Sequence, residues 1–330
     1  MLPAAAVDAR FGQHEYVYQW PATYFEAAFQ GSAVYFETGP GDQILHVTLD
    51  HQPPIALVSP APGVYGVTGL TSGPHRVRID VVTESQAGPD TFVGFAIPPT
   101  EKPLNPPHRQ RQIEFIGDSH TVGYGNTSPT RDCSEHQVWA TTDSSQAFGP
   151  LVAAHYGAGY QVNAISGHGI VRNYNGSPGD PVPVAYPYVL FDKKDPCRDP
   201  AWQPEVVVIA LGTNDFTTPL HPGEKWKTRD ALHADYEATY LHFLQNLRAR
   251  YPRAFFILWA TNMAQGEIES EERRVMEQWK ATGESRVAFL PIDNLSFTAC
   301  NWHPSLADDR TIAADLEKVI DAQPGIWAGK

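Results

Sequence analysis

Six consecutive apolar residues, Val206-Val207-Val208-Ile209-Ala210-Leu211, followed directly by Gly212, constrain this chain more than any other stretch. A strand with no polar side must be covered on both faces, and such strands belong to parallel sheets flanked by helices. The surrounding pattern agrees. Residues 113–116, 160–165, 255–260 and 287–292 read as four further strands. Between and after them the spacing predicts three helices. One lies near 144–156, where Ser144 and Ser145 can cap the first turn. One covers 230–250, with apolar residues at Leu232, Tyr236, Tyr240, Phe243, Leu244 and Leu247, and the last covers 311–320. This half of the chain is therefore expected to be a three-layer α/β/α domain built on a parallel sheet.

The first hundred residues carry a different rhythm. Apolar residues come in short runs at 34–36, 44–49, 64–67, 77–82 and 91–97. Turn-forming groups separate them, among them Gly39-Pro40-Gly41-Asp42, Ser72-Gly73-Pro74 and Gly88-Pro89-Asp90. Short strands punctuated in this way suggest a jelly-roll-like β-sandwich. Trp20, Tyr24, Phe25 and Phe29 offer either a sugar-binding face or core packing, and packing is the commoner role of such residues. Residues 97–110 hold five prolines and read as a stiff connector with little regular structure. A chain of 330 residues exceeds one ordinary core, so the expected domains are 1–105, the sandwich, and 106–330.

The net charge of −13 argues against nucleic acid or anionic membrane as a partner. No apolar run is long enough to span a bilayer. Met1-Leu2-Pro3-Ala4-Ala5-Ala6-Val7 lacks the charged start and long apolar core of a signal peptide, although a chain starting after a removed signal would read the same way. A secreted or periplasmic location is expected, with a cytoplasmic one left open. The three cysteines, Cys133, Cys197 and Cys300, lack zinc-site spacing, and an odd count leaves at least one unpaired within the chain. In an exported protein Cys133 and Cys197 are the expected pair, because both lie in irregular loops near the motifs below. No metal and no cofactor is expected.

Four motifs each follow a predicted strand. Gly117-Asp118-Ser119 puts a hydroxyl where open α/β sheets collect their ligands. Ser166-Gly167-His168-Gly169 supplies a backbone N–H with no Cβ in the way. Gly212-Thr213-Asn214-Asp215 can aim a side-chain amide at the same point. Asn301-Trp302-His303-Pro304 brings an imidazole. Each alone has an ordinary reading as a turn, a helix cap or a surface loop. Together they supply a nucleophile (Ser119), a base (His303) and an oxyanion hole from the Ser119 N–H, the Gly167 N–H and the Asn214 side chain. Trp302 beside the base and Trp259 near the end of a strand are candidate faces for a pyranose ring, and Asp215 is expected to hold the loop that presents Asn214. No Gly-x-Ser-x-Gly elbow occurs, so the α/β-hydrolase reading loses support.

These four blocks resemble the SGNH (GDSL) hydrolase superfamily. The match extends through Thr121-Val122-Gly123-Tyr124-Gly125-Asn126 and Thr141-Thr142-Asp143-Ser144, and in the front domain through Tyr18-Gln19-Trp20-Pro21 and Gly73-Pro74-His75-Arg76-Val77. Together they are similar to carbohydrate esterase family 2, a β-sandwich joined to an SGNH domain, over nearly the whole chain. The resemblance implies a metal-independent serine esterase that removes O-acetyl groups from polysaccharides or oligosaccharides of the acetylxylan or acetylglucomannan type, with 6-O-acetyl groups preferred. The chain is expected to be a monomer. Its rivals are a lipase- or thioesterase-like acyl hydrolase and a non-catalytic carbohydrate-binding protein. Two positions depart from the superfamily pattern. Cys300 stands three residues before His303, where relatives carry an aspartate, and the resemblance implies that a backbone carbonyl takes over the orienting role. Asp293 and Asp308 are the alternative carboxylates. His120 stands where relatives carry an apolar residue, and burial at the first helical turn is its expected role.

Overall fold

A computed structural model describes residues 15–197 and 199–328. The chain forms two compact units that divide between His108 and Arg109.

The first unit contains two antiparallel sheets. Strands β1 (Tyr16–Tyr18), β3 (Ala33–Thr38), β6 (Gly63–Thr68) and β8 (Asp90–Ala96) form one, in the order β1-β8-β3-β6. Strands β2 (Tyr24–Gln30), β4 (Ile44–Leu49), β5 (Ile55–Val58), β7 (Pro74–Val81) and β9 (Lys102–Leu104) form the other, in the order β5-β4-β7-β2-β9. Strand alternation drives the packing. In β7, His75, Val77, Ile79 and Val81 are buried while Pro74 and Arg76 are exposed. Val77, Ile79 and Val81 join Phe29, Val34, Phe36, Leu45, Val47 and Phe92 in one apolar core. Phe25 stacks on Phe92 with ring centroids 4.0 Å apart, and the Arg78 guanidinium covers the Tyr24 ring at 4.0 Å. Packing is thus the role of Phe25 and Phe29. The proline-rich connector proves partly regular: β9 pairs with β2 through Ala28 and Leu104, which the proline content had argued against.

The second unit is a five-stranded, all-parallel sheet in the order β11-β10-β12-β13-β14. The strands are β10 (Gln112–Gly117), β11 (Gly159–Ala164), β12 (Val206–Ala210), β13 (Phe255–Thr261) and β14 (Val287–Ile292). All five residues of β12 and all seven of β13 are buried. One face carries α6 (Arg229–Arg250) and α7 (Glu267–Ala281); Leu232, Tyr236, Tyr240, Val275 and Trp279 from these helices pack with Val207, Ile209, Phe256 and Leu258. The other face carries α3 (Phe148–Tyr156) and α8 (Leu306–Asp321), which pack on each other. Short helices α1 (Ser119–Val122), α2 (Glu135–Thr141), α4 (Val182–Ala185) and α5 (Thr213–Phe216) sit in the connections. The helix expected from 144 begins later than Ser144. Asp143 caps a single 3-10 turn at Ser144–Gln146, and α3 starts at Phe148.

The cysteine expectation is corrected. The disulfide joins Cys133 to Cys300, across a sequence separation of 167, and Cys197 is free and partly exposed. The reason is spatial: the Cα atoms of Cys133 and Cys300 lie 5.4 Å apart, within the reach of a disulfide. Closing so long a loop removes roughly 5 kcal/mol of unfolded-chain entropy in the chain-entropy account. Thiol titration in denaturant without reductant should find one thiol in the wild type and none in Cys197→Ser. Two thiols in Cys197→Ser would restore the Cys133–Cys197 pairing.

Candidate active site

Strand β10 lies between β11 and β12, and Gly117 pairs with Ala164 on one side and Ala210 on the other. The three strand ends are therefore level, and the segments leaving them emerge side by side. The chain passes from β10 to β11 and then back to β12, which makes this a topological switch point.

The backbone turns at Asp118 into α1, whose first residue is Ser119. Asp118 is the N-cap and accepts from the His120 N–H at 3.0 Å. The ordinary capping role thus belongs to Asp118, and the Ser119 hydroxyl is left for other work. His303 Nε2 lies 2.8 Å from Ser119 Oγ. On the other side of the ring, Nδ1 lies 2.9 Å from the Cys300 carbonyl oxygen and 3.2 Å from that of Asn301. Carbonyl oxygens only accept, so Nδ1 carries the proton and donates. Nε2 is then the bare nitrogen that accepts from the Ser119 hydroxyl. Neither alternative carboxylate reaches the ring. Asp308 caps α8 through Ser305 and accepts from the Ser296 and Phe297 N–H groups, while Asp293 is exposed. Burial, with no carboxylate to offset it, pushes His303 down to about 4.

Gly167 adopts φ +83°, a conformation that favours glycine, and the direction a Cβ would take is open space. Its N–H has no partner among the described residues. The Ser119 N–H, at the first position of a helix, has no intrahelical partner either. Asn214 is placed differently from expectation. Its Nδ2 donates to the His168 carbonyl at 2.9 Å and to Asp118 Oδ2 at 3.2 Å. The amide therefore ties the loop carrying Gly167 to the turn carrying Ser119, and both of its hydrogens are engaged. Asp118 is pushed up to about 7 by burial and by the charge of Asp215. Asp215 holds the neighbouring loop, accepting from the Ile170, Val171 and Arg172 N–H groups at 3.0, 2.9 and 2.9 Å. A side chain at Gly169 would collide with that carboxylate, since its Cβ would fall 2.3 Å from Asp215 Oδ2. Despite three donors, burial raises Asp215 to about 6.

The aromatic candidates separate. Trp302 is 60 % exposed, next to His303, with the Arg131 guanidinium 3.8 Å from its ring centre. Trp259 is only 1 % exposed and packs edge-on against Phe148 at 5.3 Å. It presents no face to a ligand, because its position in β13 turns it toward α3 beneath the sheet surface. His120 is buried, as expected, between Trp259, Phe297 and His303. Burial and the neighbouring His303 push it down to about 3, so it is neutral. Three further residues meet these loops. Tyr124 stacks beside His303 at 4.2 Å and accepts from Asn301 Nδ2. Arg131 reaches the loop that carries His303, donating to the Phe297 and Ser296 carbonyls. Tyr174 is 53 % exposed, and its N–H donates to the Gly167 carbonyl at 2.8 Å. Tyr124 follows Ser119 in Gly123-Tyr124-Gly125 and carried a signal in the sequence; Arg131 carried none.

Comparison with known proteins agrees with this architecture. Residues 9–107 match the carbohydrate esterase 2 N-terminal family, and residues 115–316 match the GDSL-like lipase/acylhydrolase family. An acetylxylan esterase / glucomannan deacetylase of Cellvibrio japonicus is 44 % identical over 94 % of this chain and 87 % of its own length. A solved carbohydrate esterase, described as having an active site with divergent catalytic and non-catalytic binding functions, is 42 % identical. It superposes with a TM-score of 0.91, covering 97 % of each chain. A family two carbohydrate esterase from Clostridium thermocellum, solved in complex with cellohexaose, is 27 % identical. Its TM-score is 0.79 over 94 % of this chain and 95 % of the other. The chain belongs to the GDSL-like lipase/acylhydrolase family, and with its matching N-terminal unit it is a family 2 carbohydrate esterase.

Proposed function

We propose that this chain removes O-acetyl groups from polysaccharides or oligosaccharides through an acetyl-enzyme formed on Ser119, with a Ser–His dyad in place of a triad. The observation that carries the reading is the chain of contacts from Ser119 Oγ through His303 Nε2 and Nδ1 to the Cys300 carbonyl. Ser119 Oγ bonds to the acetyl carbon as its proton passes to Nε2. The imidazolium so formed keeps its second proton on Nδ1 and donates it to the Cys300 carbonyl oxygen, a dipole that stabilises the charge without a carboxylate. The tetrahedral oxyanion accepts from the Ser119 and Gly167 N–H groups. Asn214 joins them when its side-chain amide rotates and redirects the N–H that it now donates to Asp118 Oδ2 toward the oxyanion. Collapse breaks the bond to the sugar oxygen, which takes the proton from Nε2. Water then attacks the acetyl carbon while giving a proton to Nε2, and Ser119 leaves with that proton as acetate departs.

The substrate assignment rests on the shape of the rim and on kinship. The relative from Cellvibrio japonicus is named as acting on acetylxylan and glucomannan. Trp302 and Tyr174 are exposed aromatics, one adjoining the base and the other hydrogen-bonded to Gly167. A pyranose ring can lie on the open face of Trp302 while an exocyclic 6-O-acetyl group extends to Ser119. A 2- or 3-O-acetyl group would bring the ring itself against the Gly167 and Asn214 loops. The Cys133–Cys300 disulfide supports a secreted or periplasmic location.

Three outcomes are expected. Ser119→Ala should lower kcat for acetate release by at least about 10³-fold in a folded protein, and Asn214→Ala by about 10²-fold with KM little changed. An Asn214→Ala effect on KM alone would make that amide a ground-state contact. The base must be neutral to accept a proton, and the folded His303 titrates near 4. The pH profile of kcat/KM for the free enzyme should therefore rise through about pH 4; a profile with no limb there would refute the carboxylate-free environment of the base. Finally, acetate release from a panel of acetylated glycans should favour 6-O-acetyl hexosides over 2- or 3-O-acetyl xylosides, and acetyl over butyryl esters. Trp302→Ala should raise KM for the sugar ester and spare a small aryl acetate. Faster cleavage of long-chain esters would make the enzyme lipase-like.

A further inference from the structure

The loop that carries the base is backbone-strained. Phe297, Asn301 and Trp302 have φ of +48°, +51° and +63°, and none is glycine. Side-chain-bearing residues in that region persist only where neighbouring contacts force them. Asp308 holds the Phe297 N–H and Tyr124 meets the Asn301 side chain, and the remaining contacts come from residues 131–133, the turn that precedes α2. Cys133 is bonded to Cys300. The Arg131 carbonyl accepts from the Asn301 N–H at 2.7 Å. Arg131 Nε and Nη2 donate to the carbonyls of Phe297 and Ser296 at 2.7 and 2.9 Å, and the same guanidinium covers Trp302. Every residue from Cys300 to Trp302 is thus held by this turn, and Cys300 and Asn301 supply both carbonyls that meet His303 Nδ1.

A triad carboxylate orients an imidazole by charge, over a range of angles. A neutral carbonyl dipole does so only while it points along the N–H, so the loop must hold it there. We infer that Arg131 and the Cys133–Cys300 disulfide are the positioning elements of the base, standing in for the missing carboxylate, and that turnover therefore depends on the oxidation state of this disulfide. The inference rests on the reading of His303 as the base. Cys300 is wholly buried, but Cys133 is partly exposed, so a reductant approaches from its side. A dithiol such as dithiothreitol attacks there. Two electrons and two protons pass to the cysteines, giving two thiols, while the dithiol closes to a cyclic disulfide.

The test uses the full chain and 4-nitrophenyl acetate, an ester with no sugar to bind. The enzymes are wild type oxidised, wild type reduced, Arg131→Ala, Arg131→Lys and Cys197→Ser, each checked for folding by circular dichroism. Ser119, His120 and Tyr124 face His303, and none is altered. Reduction and Arg131→Ala should each lower kcat by about tenfold or more, within the range that positioned general bases contribute, with KM within twofold. The acid limb should move up from about 4 toward 6.5, because a loosened loop lets water reach the imidazole. Removing the reductant and reoxidising should restore kcat. Arg131→Lys should rescue only in part, since an ammonium cannot fork to two carbonyls, and Cys197→Ser should match wild type. An unchanged kcat and acid limb in either reduced wild type or Arg131→Ala overturns the assignment. Arg131→Ala keeps the disulfide, so it decides the matter even where the reduced enzyme unfolds. Failure of the functional reading looks different: oxidised wild type would then release no 4-nitrophenol, or Ser119→Ala would release as much.

Discussion

Everything at the site depends on the parallel pairing of β10 with β11 on one side and β12 on the other. That pairing brings Gly117, Ala164 and Ala210 level, so three loops distant in sequence leave the sheet within hydrogen-bonding reach of one another. Asn214 exploits this, joining the turn of Ser119 to the loop of Gly167 with a single amide. Backbone hydrogen bonding in a sheet buried on both faces is uniform and solvent-free. It is therefore a rigid support for groups whose chemistry depends on distances of a few tenths of an ångström.

On that support the electrostatics are arranged by burial. His303 and His120 are pushed down, and Asp118 and Asp215 are pushed up, because each is removed from water with incomplete compensation. The outcome suits a dyad. In the proposed mechanism, an imidazole that remains neutral well below pH 7 is available to Ser119 as base, and the oxyanion would face backbone N–H dipoles in a poorly screened environment. The missing carboxylate is also explained locally. An aspartate at position 300 would occupy a fully buried position against the backbone of Gly125, where a half-cystine now packs. Orientation passes instead to a carbonyl, whose direction is a matter of loop geometry.

Strong periodicity carried most of the second unit. Helix α6 has a full apolar stripe, and its expected and observed spans differ by one residue. Helix α7 escaped notice for a physical reason. Its buried face runs Ile268, Glu271, Glu272, Val275, Met276 and Trp279, so two acids stand where the apolar repeat should continue. Glu272 is wholly buried, and burial raises its carboxyl far above the ordinary range, so it packs as a neutral group. In the first unit β2 was missed because its residues are mostly half-buried, and β9 because a strand containing proline reads as a connector.

The sequence by itself determined the class of the fold and the order of the four motifs that carry the candidate residues Ser119, Gly167, Asn214 and His303, because each depends on local pattern and on what can follow a buried strand. Tertiary structure alone decided that Trp259 is core while Trp302 is open, that Asn214 bridges two loops, and that Cys133 pairs with Cys300 rather than Cys197. Those outcomes depend on which residues far apart in the chain meet in space. Side-chain type is the same whether a tryptophan faces α3 or solvent, and a cysteine has no preference for a partner until the fold brings one within about 6 Å.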